Sequence, residues 1–162
     1  MRIKAVAVDV DGVLTDGGFW WGPDEQEWKR FSFRDVMGIS RGIRAGLVFA
    51  FISGEDSPLV DRYARKFQIE NVYKGCKDKA AALCDFAHRR NMQLAEIAFM
   101  GDDVNDLGAM KLAGLAAAPA DAEKSVLAQV QFVSRHNGGH GAVRELVEYL
   151  IEPSDDRRSS KT

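Results

Sequence analysis

The sequence predicts an α/β fold: a doubly wound parallel sheet with one added β-hairpin. Three observations predict it. Short apolar runs alternate with amphipathic stretches of helix length along most of the 162 residues. Three of those runs stop at small or acidic residues, Asp9, Ser53-Gly54 and Gly101-Asp102. One aromatic segment near the start breaks the alternation around a Gly-Pro-Asp turn. Strand alternating with helix is the pattern of a parallel sheet covered on both faces, of the Rossmann-like kind.

Residues 4–10 (KAVAVDV) read as a buried strand ending in aspartates. Residues 17–21 (GGFWW) and 27–33 (EWKRFSF) flank the Gly22-Pro23-Asp24 turn and read as the hairpin. Phe19, Trp20, Trp21, Trp28 and Phe31 give it more apolar area than two strands can bury alone. It should fold over the core or dock onto another subunit. A helix pattern follows at 36–45, then the strand 47–52 (LVFAFI). Ser57-Pro58 is an N-cap with proline at the first helical position, opening a helix over 58–67. Val72-Tyr73 is a short strand, followed by a helix over 78–90 and the strand 97–100 (IAFM). Helices over 106–113, 122–129 and 141–151 enclose the short strands 115–118 and 131–133, with Asp121 expected to cap the second of those helices. The tail from Pro153 (PSDDRRSSKT) is polar and is expected to be disordered, leaving residues 1–152 as one domain.

With 46% apolar residues the chain can bury an ample core. A net charge of -2 and pI near 5.9 offer no basic face for nucleic acid. No apolar run approaches the roughly 20 residues that cross a bilayer, and no signal peptide is expected ahead of the first strand. Cys76 and Cys84 fit neither a disulfide framework nor a zinc pattern, so a reducing cytoplasm is expected.

In an open α/β sheet, ligands sit beyond the carboxyl ends of the strands near the switch in strand order. There the chain supplies Asp9-Val10-Asp11-Gly12, Ser53-Gly54, and Gly101-Asp102-Asp103 with Asp106. Carboxylates converging on one point repel unless a cation sits among them, and an oxygen-only set favours Mg²⁺ over zinc. Singly, each fragment has a plainer reading. Lys79 suits a solvated helix start, Ser53 a strand-end turn, Asp103 a helix cap, and His136 with His140 a glycine-spaced loop without metal. It is the shared placement at strand ends that points to phosphate chemistry.

Asp9 to Gly17 (DVDGVLTDG), Ser53-Gly54, Lys79 and Gly101 to Asp106 (GDDVND) resemble, in order, the four motifs of the haloacid dehalogenase-like phosphatases. No insertion is large enough for a cap domain. The hairpin and the ending 137–145 (NGGHGAVRE) are similar to the capless branch, which includes 3-deoxy-octulosonate 8-phosphate and nonulosonate 9-phosphate phosphatases. The resemblance implies Asp9 as nucleophile and Asp11 as acid and base, with neighbouring carboxylates expected to keep Asp11 protonated. It implies Ser53 and Lys79 as phosphate ligands, and Mg²⁺ held by Asp9, the Asp11 backbone carbonyl and Asp102. Asp103 and Asp106 would orient metal waters or Lys79. A phospho-receiver domain uses similar groups, but its phosphorylated aspartate follows a later strand, whereas Asp9 ends the first.

A capless site lies open to water, and the resemblance implies a homotetramer in which a neighbouring subunit covers it. Where octulosonate enzymes usually carry arginine after Ser-Gly, this chain has Glu55, with Lys66 on the next helix. That pair is similar to the nonulosonate branch, and Arg135, near the glycine-rich segment, could place positive charge by a substrate carboxylate; Gly54, Glu55, Lys66 and Arg135 are the expected substrate contacts. A nine-carbon sugar acid 9-phosphate is expected over the eight-carbon 8-phosphate. The further alternative is a low-activity domain that assembles a tetramer for a sugar-activating partner.

Overall fold

The computed structural model describes residues 2–152. In chain order the elements are β1 (Ala5–Val8), β2 (Trp20–Trp21), β3 (Glu27–Trp28), α1 (Phe33–Arg44), β4 (Val48–Ile52), α2 (Pro58–Lys66) and β5 (Asn71–Tyr73). There follow α3 (Lys79–Arg89), β6 (Ile97–Met100), α4 (Leu107–Leu112), β7 (Leu115–Ala118), α5 (Lys124–Leu127), β8 (Phe132–Val133) and α6 (Ala142–Ile151). Six strands pair in parallel in the order β5-β4-β1-β6-β7-β8, and β2 and β3 form a separate antiparallel ribbon.

β1 is central because it has an apolar side chain for each face. Val6 and Val8 point to one side, where they pack with Ile39 of α1, Phe49 and Phe51 of β4, and Leu146 and Val147 of α6. Ala5 and Ala7 point to the other, beneath Leu83 and Phe86 of α3 and Met110 of α4. The period-2 alternation of a strand thus feeds two cores at once. Full burial of a side chain such as Phe51 or Phe86 contributes on the order of 1.5–3 kcal/mol. No helix among the described residues is long and apolar enough to cross a membrane.

Three local expectations need correction. α1 begins at Phe33 rather than 36, because the Ser32 hydroxyl accepts from Arg34 N at 3.1 Å and caps it. Phe33 is 77% exposed, so the apolar period that located the helix does not include its first residue. Asp121 caps no helix: α5 is a single turn with Glu123 at its N-cap, and Asp121 accepts instead from Gly138 N at 2.9 Å. The hairpin pairs only Trp20 with Trp28 and Trp21 with Glu27. Its aromatics divide. Phe31 folds over the core and stacks on Tyr63 with ring centroids 4.2 Å apart, whereas Phe19, Trp20, Trp21 and Trp28 stay exposed. Ser57 caps α2 as expected, accepting from Leu59 N. The expected tail lies outside the described residues.

Candidate active site

The chain leaves β1 for β4 and β5 on one side, then returns to β6 on the other, so the strand order switches at β1. Val8, the last residue of β1, pairs with Phe51 and with Met100. The residues just beyond these three therefore meet in one crevice, as the switch-point rule requires. Asp9 continues the ladder by donating its N–H to Met100 O at 2.9 Å, which fixes its side chain at the floor.

Asp9 is 5% exposed. Lys79 Nζ lies 2.9 Å from Asp9 Oδ1 and 2.7 Å from Asp106 Oδ1. Lys79 is the first residue of α3, whose N-cap Asp78 accepts from Ala81 N at 3.0 Å, so the helix start aims the ammonium inward. A buried ion pair is stable only when its remaining valences are also met. Asp106 meets them by accepting from Asp102 N at 3.0 Å and Asp103 N at 3.2 Å. Burial pushes the Asp9 carboxyl up to about 7, with the Asp106 charge adding to it and Lys79 opposing. Burial, the charges of Asp9 and Asp106, and a hydrogen bond to Asp9 push Asp102 up to about 8. For Lys79, burial lowers the pKa but the two carboxylates outweigh it and hold the ammonium above its ordinary value.

Glycine shapes the crevice at two points. Gly12 has φ +87°, and a β-carbon there would collide with the Asp102 carboxylate. Gly138 lies against the Gly12 carbonyl, where a β-carbon would again collide, and Gly139 N donates to Val13 O at 2.9 Å. The glycine-rich turn before α6 thus braces the loop after β1. Thr15, fully buried, holds that loop from within by accepting from Gly12 N and Gly17 N, each at 3.2 Å.

Ser53 is fully buried at the end of β4, and its hydroxyl accepts from Glu55 N at 3.1 Å, leaving the hydroxyl proton free to donate. Gly54 and Glu55 are exposed beside it. The Asp11 side chain does not join the carboxylate cluster. It faces Lys29, whose Nζ lies 2.8 Å from Asp11 Oδ1, 3.3 Å from Glu27 Oε1 and 3.4 Å from Glu55 Oε2. Within the carboxylate cluster, Asp9 and Asp102 are the groups that burial raises. Lys29 escaped the sequence reading. Its only signal was hairpin alternation: Trp28 is 51% exposed, and the next residue turns inward until its side chain is 3% exposed.

Carboxylate oxygens of Asp9, Asp102 and Asp106 lie within 4.8 Å of one another, close enough to hold one cation. Asp106 spends both oxygens on Lys79 and on backbone N–H groups. Among the described residues, by contrast, Asp102 Oδ1 is buried without a hydrogen-bond partner. A buried carboxylate oxygen left so costs free energy unless a cation meets it. An all-oxygen donor set of this kind fits a hard divalent ion.

The remaining candidates have neighbours of their own. Lys66 is exposed and its ammonium sits 5.3 Å from the Phe33 ring centroid, while the cation beside Glu55 is Lys29. Arg135 is 86% exposed and is bound by Glu145, which takes its Nε at 2.5 Å. Asp103 caps the short 3₁₀ turn Val104–Asp106, accepting from Val104 N at 2.6 Å. His140 lies by Arg30 and the Gly138 carbonyl.

A family profile described as haloacid dehalogenase-like hydrolase matches residues 49–146. The 3-deoxy-D-manno-octulosonate 8-phosphate phosphatase of Escherichia coli K12 is 34% identical over 150 residues, which span 93% of this chain and 80% of that protein. The crystal structure of the Yersinia pestis enzyme of that name superposes with a TM-score of 0.91 at 34% identity, covering 98% of this chain and 85% of that one. The Moraxella catarrhalis enzyme, solved with a magnesium ion, a phosphate ion and a KDO molecule, gives a TM-score of 0.91 at 31% identity, covering 97% and 90%.

Proposed function

This chain belongs to the haloacid dehalogenase-like hydrolases and is a phosphatase, and we propose that it hydrolyses a 2-keto-3-deoxy sugar acid phosphate with Asp9 as nucleophile. What carries this reading is Asp9 itself, 5% exposed at the strand switch, with Lys79 at 2.9 Å and the unpartnered oxygen of Asp102 beside it.

A carboxylate oxygen of Asp9 attacks phosphorus in line, the bond from phosphorus to the ester oxygen breaks, and the leaving alkoxide takes the proton carried by Asp11. Water then attacks the aspartyl-phosphate, gives a proton to Asp11, and frees phosphate and the Asp9 carboxylate. Lys79 and the Ser53 hydroxyl stabilise charge on the phosphoryl oxygens; Asp106 and the Gly138 turn hold Lys79 and the Asp11–Gly12 loop. Asp9, Asp102 and the Asp11 carbonyl would hold Mg²⁺, which when bound would supply the positive charge that these acidic groups and a phosphate dianion need in common.

Residues 1–152 act as one phosphatase domain in this reading, working in the cytoplasm as a homotetramer. The support for assembly is the exposed set Phe19, Trp20, Trp21, Trp28 and Phe33, at 51%, 56%, 72%, 51% and 77%. An apolar patch of that kind marks a contact surface. Glu55 at the open mouth favours a hydroxyl-rich leaving group, and the nine-carbon 9-phosphate remains the expectation. The eight-carbon 8-phosphate is the second reading, favoured by the names of the relatives. The test is phosphate release with Mg²⁺ from both substrates side by side. No release from either, with the chain folded, would overturn the enzymatic reading and favour the assembly-domain alternative. Faster release from the octulosonate would overturn the nine-carbon preference alone.

A further inference from the structure

The node around Lys29 lies outside the nucleophile's own cluster, yet it reaches the group to which the proposed reaction assigns proton transfer. Lys29 sits just after β3, on a hairpin with no carboxylate of the Asp9, Asp102 and Asp106 set. Its side chain is 3% exposed, while the carboxylates it touches are more open: Asp11 at 31%, Glu27 at 28% and Glu55 at 62%. A lysine would ordinarily place its ammonium in water, and burying it is costly unless it is paired and hydrogen-bonded. Here three carboxylates from three parts of the chain share one ammonium: the loop after β1, the hairpin, and the loop after β4.

The contact to Asp11 is the shortest, 2.8 Å, and falls on Oδ1. A donor fixed to one carboxylate oxygen settles the rotation of the group and makes Oδ2 the oxygen that Lys29 does not hold. The N–H groups of Gly12, Val13, Leu14, Thr15 and Gly17 are engaged by Thr15 and Val10, and Lys29 is the donor that Asp11 Oδ1 meets. Across the mouth the same ammonium holds Glu55, which flanks Ser53, so the acid and the exposed carboxylate keep a set spacing.

We propose that Lys29 is a positioning residue for the acid–base step: by binding Asp11 Oδ1 it aims the other oxygen at the leaving group. It makes the hairpin part of the reactive apparatus as well as a contact surface. The proposal rests on the Asp9 and Asp11 reading above. In the step concerned, the phosphorus–ester oxygen bond breaks as the Asp9–phosphorus bond forms, and the proton on Asp11 Oδ2 passes to the ester oxygen.

The test compares two esters in single-turnover rapid-quench assays on the full chain with Mg²⁺. One is a sugar acid phosphate, whose alkoxide needs the proton; the other is p-nitrophenyl phosphate, whose phenolate leaves without it. In Lys29→Met, first-turnover release from the alkyl ester should fall about 10²-fold, the low end of general-acid contributions. Release of p-nitrophenolate should fall less than about threefold, and KM for either ester should move less than about threefold, since the residue acts on orientation and not on binding. Equal losses on the two esters, a loss confined to KM, or no loss would each overturn the assignment. If Lys29→Met does not fold, Lys29→Arg keeps the charge but displaces the donor, and the same selectivity between esters is expected. Wild-type turnover separates the two ideas. An inactive wild type sinks the phosphatase reading, whereas an active wild type with an indifferent Lys29→Met sinks only this one.

Discussion

The carboxylate of Asp102 occupies the space that a β-carbon on Gly12 would need. One loop lacks a side chain so that another can bring an acid to the floor of the crevice. The positive φ of +87° at Gly12 adds a second reason for glycine, since other residues pay roughly 1–2 kcal/mol in that region. Gly12→Ala should therefore displace Asp102, weakening Mg²⁺ binding by at least about tenfold, which is about 1.4 kcal/mol. Calorimetric titration of Mg²⁺ into the folded variant checks this, and unchanged affinity would contradict it.

Lys79 is the ammonium that holds Asp9 and Asp106 together. Lys79→Met leaves those carboxylates buried without it, and breaking a buried pair in this way costs about 3–5 kcal/mol. Unfolding by urea at about pH 8 should show a loss of that size, and at about pH 5 a smaller one, because Asp9, raised to about 7, is protonated there and needs the cation less. A loss independent of pH would point to packing instead.

Asp9 and Asp102 carry carboxyls raised from the ordinary 3.8 to about 7 and about 8. Between those values the folded, metal-free protein retains protons that the unfolded chain has released. Stability must then fall as pH rises through that window. The Tm of the metal-free protein should drop by several degrees from about pH 5 to about pH 8, each kcal/mol being worth about 2–4 °C at this size. Mg²⁺ should restore more of it at the higher pH. A metal-free Tm that rises over the same range would show the sign to be wrong.

Asp9→Asn removes the nucleophile and one of the two raised acids of the crevice together. Phosphate release should fall below detection, while the drop in metal-free Tm with pH becomes shallower than in the wild type. Circular dichroism and a thermal scan at two pH values separate this outcome from simple misfolding.

Asp35, fully buried in α1, accepts from Gly141 N at 3.0 Å, Val143 N at 3.0 Å and Arg144 N at 3.2 Å. It caps α6 from a hundred residues away and so anchors the glycine-rich turn that braces Gly12. Burial raises its carboxyl, and the backbone donors oppose that rise. Asp35→Ala should cost about 1–3 kcal/mol for the donors left unmet. Turnover should fall with it as the turn loosens; a stable, fully active variant would show that the brace is unnecessary.

Much of the fold was legible because its signals are local. Apolar runs of four to six residues closed by Asp, Ser or Gly gave β1, β4 and β6 to within a few residues, and Ser57-Pro58 gave the start of α2. Where a signal was not periodic it failed. Ser32 caps α1 ahead of an exposed Phe33, and Asp121, which has the chemistry of a cap, turns to Gly138 because α5 is one turn long.

By itself the sequence determined which chemical groups stand at the strand ends, since the strand period and the residues that break it are written along the chain. Only the tertiary structure decided which charge meets which. Lys79 takes Asp9 and Asp106, Asp11 goes to Lys29, Lys66 rests on Phe33, and Arg135 is claimed by Glu145. The physical reason is reach. A lysine or arginine side chain can span several ångströms in many directions, so its partner is chosen by whichever carboxylates the folded loops bring within hydrogen-bonding distance, and local spacing does not encode that choice.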